Sequence, residues 1–241
     1  MVSSDLIAAL RRLARGVDRL RFASPVAYVY NPLVYAREPA ERYVERFTAS
    51  GAEVVFLGMN PGPWGMAQTG VPFGEVAAVR DWLGIEGRVT APAGMHPRVP
   101  VRGFACTRSE VSGRRLWGLA RERFGDAEAM AGHWFVANYC PLLFLDADGC
   151  NITPDKLAAT DRAALFPLCD RLLATALSIL RPRWAVGVGT FTRRRLEAVA
   201  APLGIAVTSI LHPSPASPAA NRGWARQAKA ALRAGGIWLA G

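Results

Sequence analysis

Apolar residues recur along this chain in two alternating patterns. Near the start, leucines and a valine between Leu6 and Leu20 repeat at intervals of three and four positions, which predicts an amphipathic helix. Further on, short continuous apolar runs predict buried strands. These runs lie at 52–57, 133–140, 184–189 and 206–211. Buried strands that alternate with helices are typical of a parallel sheet covered on both faces.

Helical patterns fall between and after these runs. Thr153 can cap a helix with Pro154 in its first turn, and apolar residues continue the face of this helix to Ile179. A second helix is predicted after Thr190, and a third over about 218–233. No internal repeat, low-complexity tract or Gly/Ser-rich linker interrupts the pattern. We therefore expect residues 1–241 to form a single α/β domain.

The composition excludes several classes of protein. Hydrophobic residues make up 51% of the chain and charged residues 20%, a balance that intrinsically disordered proteins do not have. No run approaches eighteen uninterrupted apolar residues, so no membrane span is predicted. The first twenty residues mix acids and arginines at helical spacing and do not resemble a signal peptide. We therefore expect a soluble globular protein of the cytoplasm.

The chain is strongly basic, and arginine carries nearly all of its positive charge. Lysine and arginine together number 29 against 19 acidic residues, and only Lys156 and Lys229 are lysines. The net charge of +10 favours polyanionic partners, and arginine suits bidentate contacts with phosphate. GC-rich codon usage would raise the arginine content too, and the abundance of alanine fits this interpretation equally well. Charge alone therefore suggests nucleic acid without establishing it.

Half of the net charge falls in the segment 87–115, which lacks clear periodicity and is longer than an ordinary connection. It holds six arginines and a single acid, Glu110, which leaves a local charge of +5. We interpret this basic segment as a surface that faces phosphate, with Arg102 and Arg114 among its DNA contacts. A solvated loop is the alternative. The arginines are Arg88, Arg98, Arg102, Arg108, Arg114 and Arg115.

The cysteines do not form a metal-binding motif. Cys106, Cys140, Cys150 and Cys169 lie 34, 10 and 19 positions apart, and none belongs to a C-x-x-C pair. An iron–sulfur cluster can gather distant cysteines, but only their number would support one here. We expect reduced structural thiols, and neither a metal nor a cofactor.

Two loops rich in proline and glycine follow the first and the last of the predicted strands. The first, 58–74, reads GMNPGPWGMAQTGVPFG, and the second, 212–218, reads HPSPASP. Proline fixes φ and glycine permits close backbone approach, so both loops are rigid enough to hold a flat ligand. In parallel sheets, ligands bind beyond the carboxyl ends of the strands, where these loops lie. The absence of P-loop, G-x-S-x-G and paired-carboxylate motifs argues against an NTPase, an esterase and a two-carboxylate glycosidase.

Together these loops resemble the two signature motifs of the single-strand-selective monofunctional uracil-DNA glycosylase family. The resemblance extends to 109–113 (SEVSG) and 135–144 (FVANYCPLLF), and it runs in order from about residue 28 to residue 224. It implies the uracil-DNA glycosylase fold, a three-layer α/β/α domain with a central, mainly parallel sheet. It also implies a DNA repair enzyme that flips uracil, and 5-hydroxymethyluracil, out of single- and double-stranded DNA and hydrolyses the N-glycosidic bond.

The resemblance assigns two catalytic residues. Asn60 corresponds to the residue that positions the attacking water, and His212 to the histidine that donates to uracil O2. An amide is a poor base, so Asn60 can only orient water while bond breaking runs ahead of attack. By residue type alone, His212 would be a loop-packing histidine. Neither motif holds a lysine for a Schiff base, so we expect a monofunctional enzyme that releases the base without cutting the strand.

Four further residues correspond to the base pocket. Asn138, at the end of a predicted strand, resembles the residue that recognises the Watson–Crick edge of uracil, and Phe73 resembles the aromatic that stacks on the flipped base. Met59 and Gly62 correspond to lining positions, where Gly62 leaves space for substituents on the base. Without the resemblance, Asn138 would be interpreted as a turn cap and Phe73 as a core residue.

The resemblance also points to DNA contacts outside the pocket. Two segments, 148–162 and 214–224, correspond to those that grip and invade DNA. Ala216 stands where animal relatives place an arginine wedge, and it is too short to fill a vacated base position. Another side chain must therefore compensate, or the preference for duplex DNA is weaker. The candidate contacts are Lys156, Ser214, Ser217 and Arg222.

The expected partner is DNA that contains damaged bases. No protein partner is required, and we expect a monomer that acts in the cytoplasm of a bacterium or in the nucleus of a eukaryote. Two alternatives stay open. One is the same fold with a deaminated purine such as xanthine as the preferred lesion, and the other is a DNA-binding module without catalysis.

Overall fold

The computed structural model describes residues 1–238, and the strands in this part of the chain form two sheets. The larger sheet is parallel throughout, in the order β3-β2-β6-β7, and its strands coincide with the four predicted apolar runs. The predicted central parallel sheet is therefore confirmed. In chain order the strands are β1 Tyr28–Tyr30, β2 Val54–Gly58, β3 Trp134–Asn138, β4 Leu143–Leu145, β5 Asn151–Ile152, β6 Trp184–Val188 and β7 Ala206–Ile210.

Helices flank this sheet, which confirms the predicted layered α/β architecture. The α-helices are α1 Val2–Val17, α2 Pro32–Tyr35, α3 Arg37–Thr48, α4 Met66–Thr69, α5 Val111–Phe124, α6 Ala159–Leu180, α7 Thr190–Ala200, α8 Pro218–Asn221 and α9 Trp224–Ala234. α7 packs on β6 and β7, α9 packs on β7, and α6 packs between α1 and α7. Because β2 lies between two strands and beneath helices, all of its residues are buried, and this burial explains its uninterrupted apolar run.

Two of the predicted helices are divided in the structure. Thr153 precedes a single 3₁₀ turn, Pro154–Lys156, and α6 begins only at Ala159. The helix predicted over 218–233 is instead the pair α8 and α9, because Gly223 between them adopts φ 91°, in the left-handed region. The first prediction was therefore wrong at the start of the helix, and the second missed a break in the middle of the helix.

A small antiparallel sheet, in the order β1-β4-β5, was not predicted because its strands are too short to show periodicity. Tyr30, in β1, connects this sheet to the basic segment. Its hydroxyl donates to Val99 O at 2.8 Å and accepts from His96 N at 2.8 Å. His96 is only 2% exposed, and its Nε2 lies 3.0 Å from Ala147 O. His96 and Val99 therefore anchor the middle of the basic segment to the protein, while Met95, Pro97 and Arg98 are exposed.

By length and composition, α6 could cross a membrane, with a mean hydropathy of 1.6. One of its faces is nevertheless buried, through Leu165, Cys169, Leu173 and Leu177. Residues at intervals of four share one face of a helix, so this stripe is the face that packs in the protein. Helices of globular domains reach the same length and composition, and the buried stripe of α6 is the part that packs against the rest of the protein.

The cysteines are free thiols, of which Cys106, Cys140 and Cys169 are buried and Cys150 is exposed. Within residues 1–238, no three histidine, cysteine, aspartate or glutamate side chains gather where they could hold a metal ion. Most of the candidate functional residues lie in the two proline- and glycine-rich loops, 58–74 and 212–218.

Candidate active site

The carboxyl ends of β2, β3 and β7 open into a cavity of about 480 Å³. The loop 58–74 leaves β2, the loop 212–218 follows β7, and the residues around the start of α5 form a further wall. Parallel-sheet topology places ligands at this edge. The lining residues are Met59, Asn60, Pro61, Gly62, Pro63, Trp64, Phe73, Ser109, Glu110, Val111, Ser112, Asn138, Asn151, Thr153, His212, Ser214 and Pro215.

Gly58 allows an amide and an aromatic ring to meet at the floor of this cavity. It pairs with Asn138 in the parallel register of β2 and β3. A Cβ atom at Gly58 would overlap both Asn138 Oδ1 and the ring of Phe73. Glycine is therefore required here for close approach, and this requirement ties the end of β2 to the geometry of the pocket.

The backbone of Phe73 is held in an unusual conformation. Its φ of 53° lies in the left-handed region, which bulky residues rarely adopt. The Phe73 carbonyl accepts from Trp117 Nε1 at 2.9 Å, and the next carbonyl, Gly74 O, accepts from Thr69 Oγ1 at 2.9 Å. The Phe73 ring centre lies 6.1 Å from that of His212. A strained backbone that its surroundings maintain is typical of functional sites, and here it places an aromatic face beside an imidazole.

The side-chain amide of Asn60 is oriented by two backbone carbonyls. Its Nδ2 donates to Leu142 O at 3.3 Å and to Pro61 O at 3.4 Å. Because both bonds use Nδ2, Oδ1 is available to accept a hydrogen bond from a molecule in the cavity.

His212 is a neutral hydrogen-bond donor in this geometry. Its Nδ1 accepts from Ser214 N at 3.1 Å, so the proton of the neutral ring lies on Nε2. Burial lowers the pKa of His212 below its ordinary value of 6.5. At neutral pH the side chain therefore offers an uncharged Nε2–H to a ligand.

Asn138 has a buried acceptor without a protein partner. Its Nδ2 lies 3.2 Å from Met66 Sδ, while its Oδ1 is buried and makes no hydrogen bond with the protein. Leaving such an atom unpaired costs about 1–3 kcal/mol. A ligand that donated a hydrogen bond to Asn138 Oδ1 would remove this cost in the bound state.

Glu110, a residue without a predicted role, lies in the wall of the cavity. A Cβ atom on Gly62 or Gly65 would overlap its carboxyl group, so Glu110 occupies the space into which a side chain at either position would point. Burial, and then the charge of Glu75, raise the pKa of Glu110 to about 7. One signal could have found it, since Glu110 is the only acid in a segment with six arginines.

Seven of the twelve predicted site residues line the cavity, namely Met59, Asn60, Gly62, Phe73, Asn138, His212 and Ser214. The other five lie outside it. Arg102, Arg114, Lys156 and Arg222 are exposed, and Ser217 caps α8, where its Oγ accepts from Ala220 N at 3.3 Å. The pocket residues are therefore brought together, whereas the candidate DNA contacts are spread over the surrounding surface.

The arginines of the basic segment make different contacts. Arg115 donates from Nη1 to Pro213 O and from Nη2 to Asn221 Oδ1, each at 2.9 Å. The guanidinium of Arg108 stacks on Trp64, 3.8 Å from the ring centre. Arg115 therefore holds the loop 212–218 in place, and the interpretation of the segment as a surface facing phosphate stays a prediction.

The fold and this set of side chains define a member of the uracil-DNA glycosylase superfamily, whose model matches residues 45–233. The crystal structure of wild-type SMUG2 from Pedobacter heparinus has the same fold, with a TM-score of 0.64 at 18% identity; the match covers 95% of this chain and 99% of that one. Within the superfamily, the chain belongs to the single-strand-selective monofunctional uracil-DNA glycosylases.

The family assignment rests on curated relatives that bear this name. The rat protein is 48% identical over 228 residues, which cover 94% of this chain and 82% of the rat protein. The mouse protein is 47% identical over the same length and with the same coverage. The bovine protein is 48% identical over 228 residues, 94% of this chain and 84% of its own.

Proposed function

We propose that this protein is a DNA repair enzyme that hydrolyses the N-glycosidic bond of uracil in DNA. The observation that carries the proposal is the convergence of Asn60, Phe73, Asn138 and His212 on one cavity at the carboxyl edge of the sheet. We extend the proposed substrates to 5-hydroxymethyluracil and to both single- and double-stranded DNA. Because the target atom is buried in a duplex, the nucleotide must be flipped into the cavity.

Recognition of uracil is assigned to Asn138 and Phe73. Asn138 Oδ1, which has no protein partner, would accept from uracil N3–H, and Nδ2 would donate to O4. Cytosine presents the opposite pattern and would leave each mismatched buried group unpaired, at a cost of about 1–3 kcal/mol. The face of Phe73 would stack on the base, a contact worth about 1–3 kcal/mol.

Stabilisation of the leaving group is assigned to His212. Bond cleavage leaves negative charge on the uracil, and the neutral Nε2–H of His212 would donate to O2 as that charge develops. One oriented donor of this kind contributes about 2.7–4 kcal/mol to the lowering of the barrier. Because burial keeps His212 uncharged before the reaction, its donation strengthens mainly in the transition state.

Asn60 would orient the water that attacks the sugar carbon. Its Nδ2 is held by Leu142 O and Pro61 O, and its Oδ1 would accept from that water. An amide cannot remove the proton, so attack must follow bond breaking and the proton is lost late. No lysine is among the residues that line the described cavity, which supports a monofunctional enzyme because a Schiff base needs an amine.

DNA is the partner of this family, and we propose that the exposed basic residues around the cavity hold its phosphates. Arg102, Arg114, Lys156 and Arg222 are exposed and would contribute to a salt-dependent affinity. Ser214 lies at the cavity and would contact the phosphate next to the flipped nucleotide, as would Ser217 nearby. We propose a monomer that requires no protein partner and acts where the cell keeps its DNA.

The test is the release of bases from oligonucleotides that each carry one lesion. Wild-type protein should release uracil and 5-hydroxymethyluracil, whereas Asn60→Ala and His212→Ala should each slow the release at least 100-fold while DNA binding persists. His133→Ala is a matched control, because this exposed histidine precedes β3, at the opposite end of that strand from Asn138. Release of xanthine in preference to uracil, or binding without any release, would refute the proposal.

A further inference from the structure

Three buried side-chain polar atoms in the described residues lack a hydrogen-bond partner, and two of them belong to the candidate active site. The acceptor of Asn138 is explained by the base it would bind. The other is Oε2 of Glu110, a residue that the proposed reaction does not use. Unpaired buried polar atoms are rare in proteins, so this carboxyl group requires an explanation.

Glu110 occupies a space that glycines leave for it. Its carboxyl group packs against Gly62 and Gly65 of the loop 58–74, where a Cβ atom at either position would overlap it. On α5, a Cβ atom at Gly113 would lie 3.0 Å from Glu110 Oε2. The Glu110 side chain therefore connects the loop that carries Asn60 to the first turn of α5. Any larger residue at Gly62 or Gly65 would force the two apart.

The surroundings of Glu110 disfavour its ionised form. Glu75, which is 7% exposed, adds a second negative charge. The loop 58–74 contributes no ionisable group on this side, and His212, on the opposite loop, is neutral. On α5 itself, Arg114 is exposed and Arg115 is directed to Pro213. Burial and Glu75 raise the pKa of Glu110 to about 7, so both protonation states are populated near neutrality.

We propose that Glu110 is a positioning residue for the glycosylase reaction: its neutral carboxyl group holds the loop that carries Asn60 against α5, and its ionisation releases this contact and slows base release. The backbone N–H of Gly113 favours the charged form, but burial and Glu75 outweigh it, and the space between the three glycines offers a charged carboxylate no water. Ionisation must therefore move the side chain outward and leave that space unfilled. The proposal rests on the proposed function, because the group positioned is Asn60.

The test is the pH dependence of base release in a single turnover, with excess enzyme and uracil-containing single-stranded DNA. If only the neutral form is active, the wild-type rate approaches a tenfold fall per pH unit above the pKa, which amounts to about 16-fold between pH 7 and pH 8.5. Glu110→Gln keeps the shape and cannot ionise, so its rate at pH 8.5 should stay within about threefold of its rate at pH 6. The affinity for DNA should change little in either protein, since the contact acts through Asn60.

Two further variants separate positioning from mere stability. Glu75→Gln removes the neighbouring charge, so it should lower the pKa of Glu110 and move the inflection of the rate to lower pH. This measurement also decides the matter if Glu110→Gln does not fold. Glu122→Gln is the matched control, because Glu122 lies on the exposed face of α5 and pairs with Lys229. It should reproduce the wild-type profile.

A wild-type rate that is flat from pH 6 to pH 8.5 would overturn the role of Glu110, as would an unchanged alkaline fall in Glu110→Gln. So would an unmoved inflection in Glu75→Gln. If these results came with an active wild type and an inactive Asn60→Ala, the proposed function would stand without Glu110. Wild-type protein that releases no uracil at any pH would refute both.

Discussion

Truncation of Arg115 should slow base release much more than it weakens DNA binding, although Arg115 belongs to the basic segment. Its guanidinium donates to Pro213 O and to Asn221 Oδ1, each at 2.9 Å, and so fixes the loop on which His212 lies. Arg115→Ala removes both bonds and leaves the backbone of this loop without its support from α5. The expected loss is therefore in the chemical step.

The size of the effect follows from these two bonds. A hydrogen bond from a charged donor contributes about 1.5–3 kcal/mol, and the lower value applies here because water can reach Asn221. At this value, the loop would lose about 1.5 kcal/mol of its preference for the native shape if water replaced one of the two bonds, and about 3 kcal/mol if water replaced neither. Since 1.36 kcal/mol corresponds to a tenfold change in rate, base release should slow about 10- to 100-fold. The full contribution of His212, about 2.7–4 kcal/mol, is the upper limit.

The assay measures the single-turnover rate at saturating DNA and, separately, the affinity for DNA at several salt concentrations. Arg114→Ala is the matched control. Arg114 is adjacent to Arg115 in the sequence and is exposed, and its Nη1 donates only to Ser109 Oγ, at 3.5 Å. That variant should bind DNA more weakly, with a smaller salt dependence, and keep its rate at saturation. The reasoning is refuted if Arg115→Ala loses affinity and salt dependence instead, with an unchanged rate at saturation.

Three further predictions follow from the site. Asn138→Asp should slow uracil release more than it weakens DNA binding, since a carboxylate cannot donate to O4; equal losses for all lesions in a panel of oligonucleotides would contradict this. Gly113→Ala should lower the melting temperature, because its Cβ would overlap the carbonyl of Phe73. Gly118→Ala is the control at an exposed position of the same helix, where no atom lies near the new Cβ, and it should stabilise the protein by about 0.5–1 kcal/mol. Identical melting curves for the two variants would show that the backbone around Gly113 moves to accept the Cβ. Burial lowers the pKa of His212 in the folded protein, so around and below pH 6.5 the unfolded chain binds more protons than the folded protein, and the free energy of unfolding falls as the pH falls. Between pH 7.5 and pH 5, urea unfolding should therefore show a smaller loss of stability for His212→Gln than for the wild type. An equal loss in both proteins would count against a buried neutral His212.

The parallel sheet and the helices α1, α6 and α7 could be predicted from the order of residues because their signals are local, whereas α3 and α5 were not predicted. A buried parallel strand needs a continuous apolar run, and each of the four runs became one strand. The two loops were equally visible, since proline and glycine restrict or extend φ within a few residues. Where local signals were ambiguous, the predictions were wrong: the helix predicted from Thr153 begins only at Ala159, and Gly223 divides the helix predicted over 218–233.

The composition of the pocket could be anticipated only in part. The two loops were predicted to hold a ligand because parallel topology brings the carboxyl ends of strands to one edge, whereas the place of Asn138 in the pocket was implied by the family resemblance. The positive φ of Phe73, the direction of Arg115 and the buried carboxyl group of Glu110 were not predictable in this way. Each depends on atoms from elements about 40 to 100 residues apart, such as Trp117 against Phe73 and Arg115 against Pro213. Patterns along a chain encode local conformation and burial, whereas the pairing of individual polar atoms is decided only when distant elements pack at fixed distances.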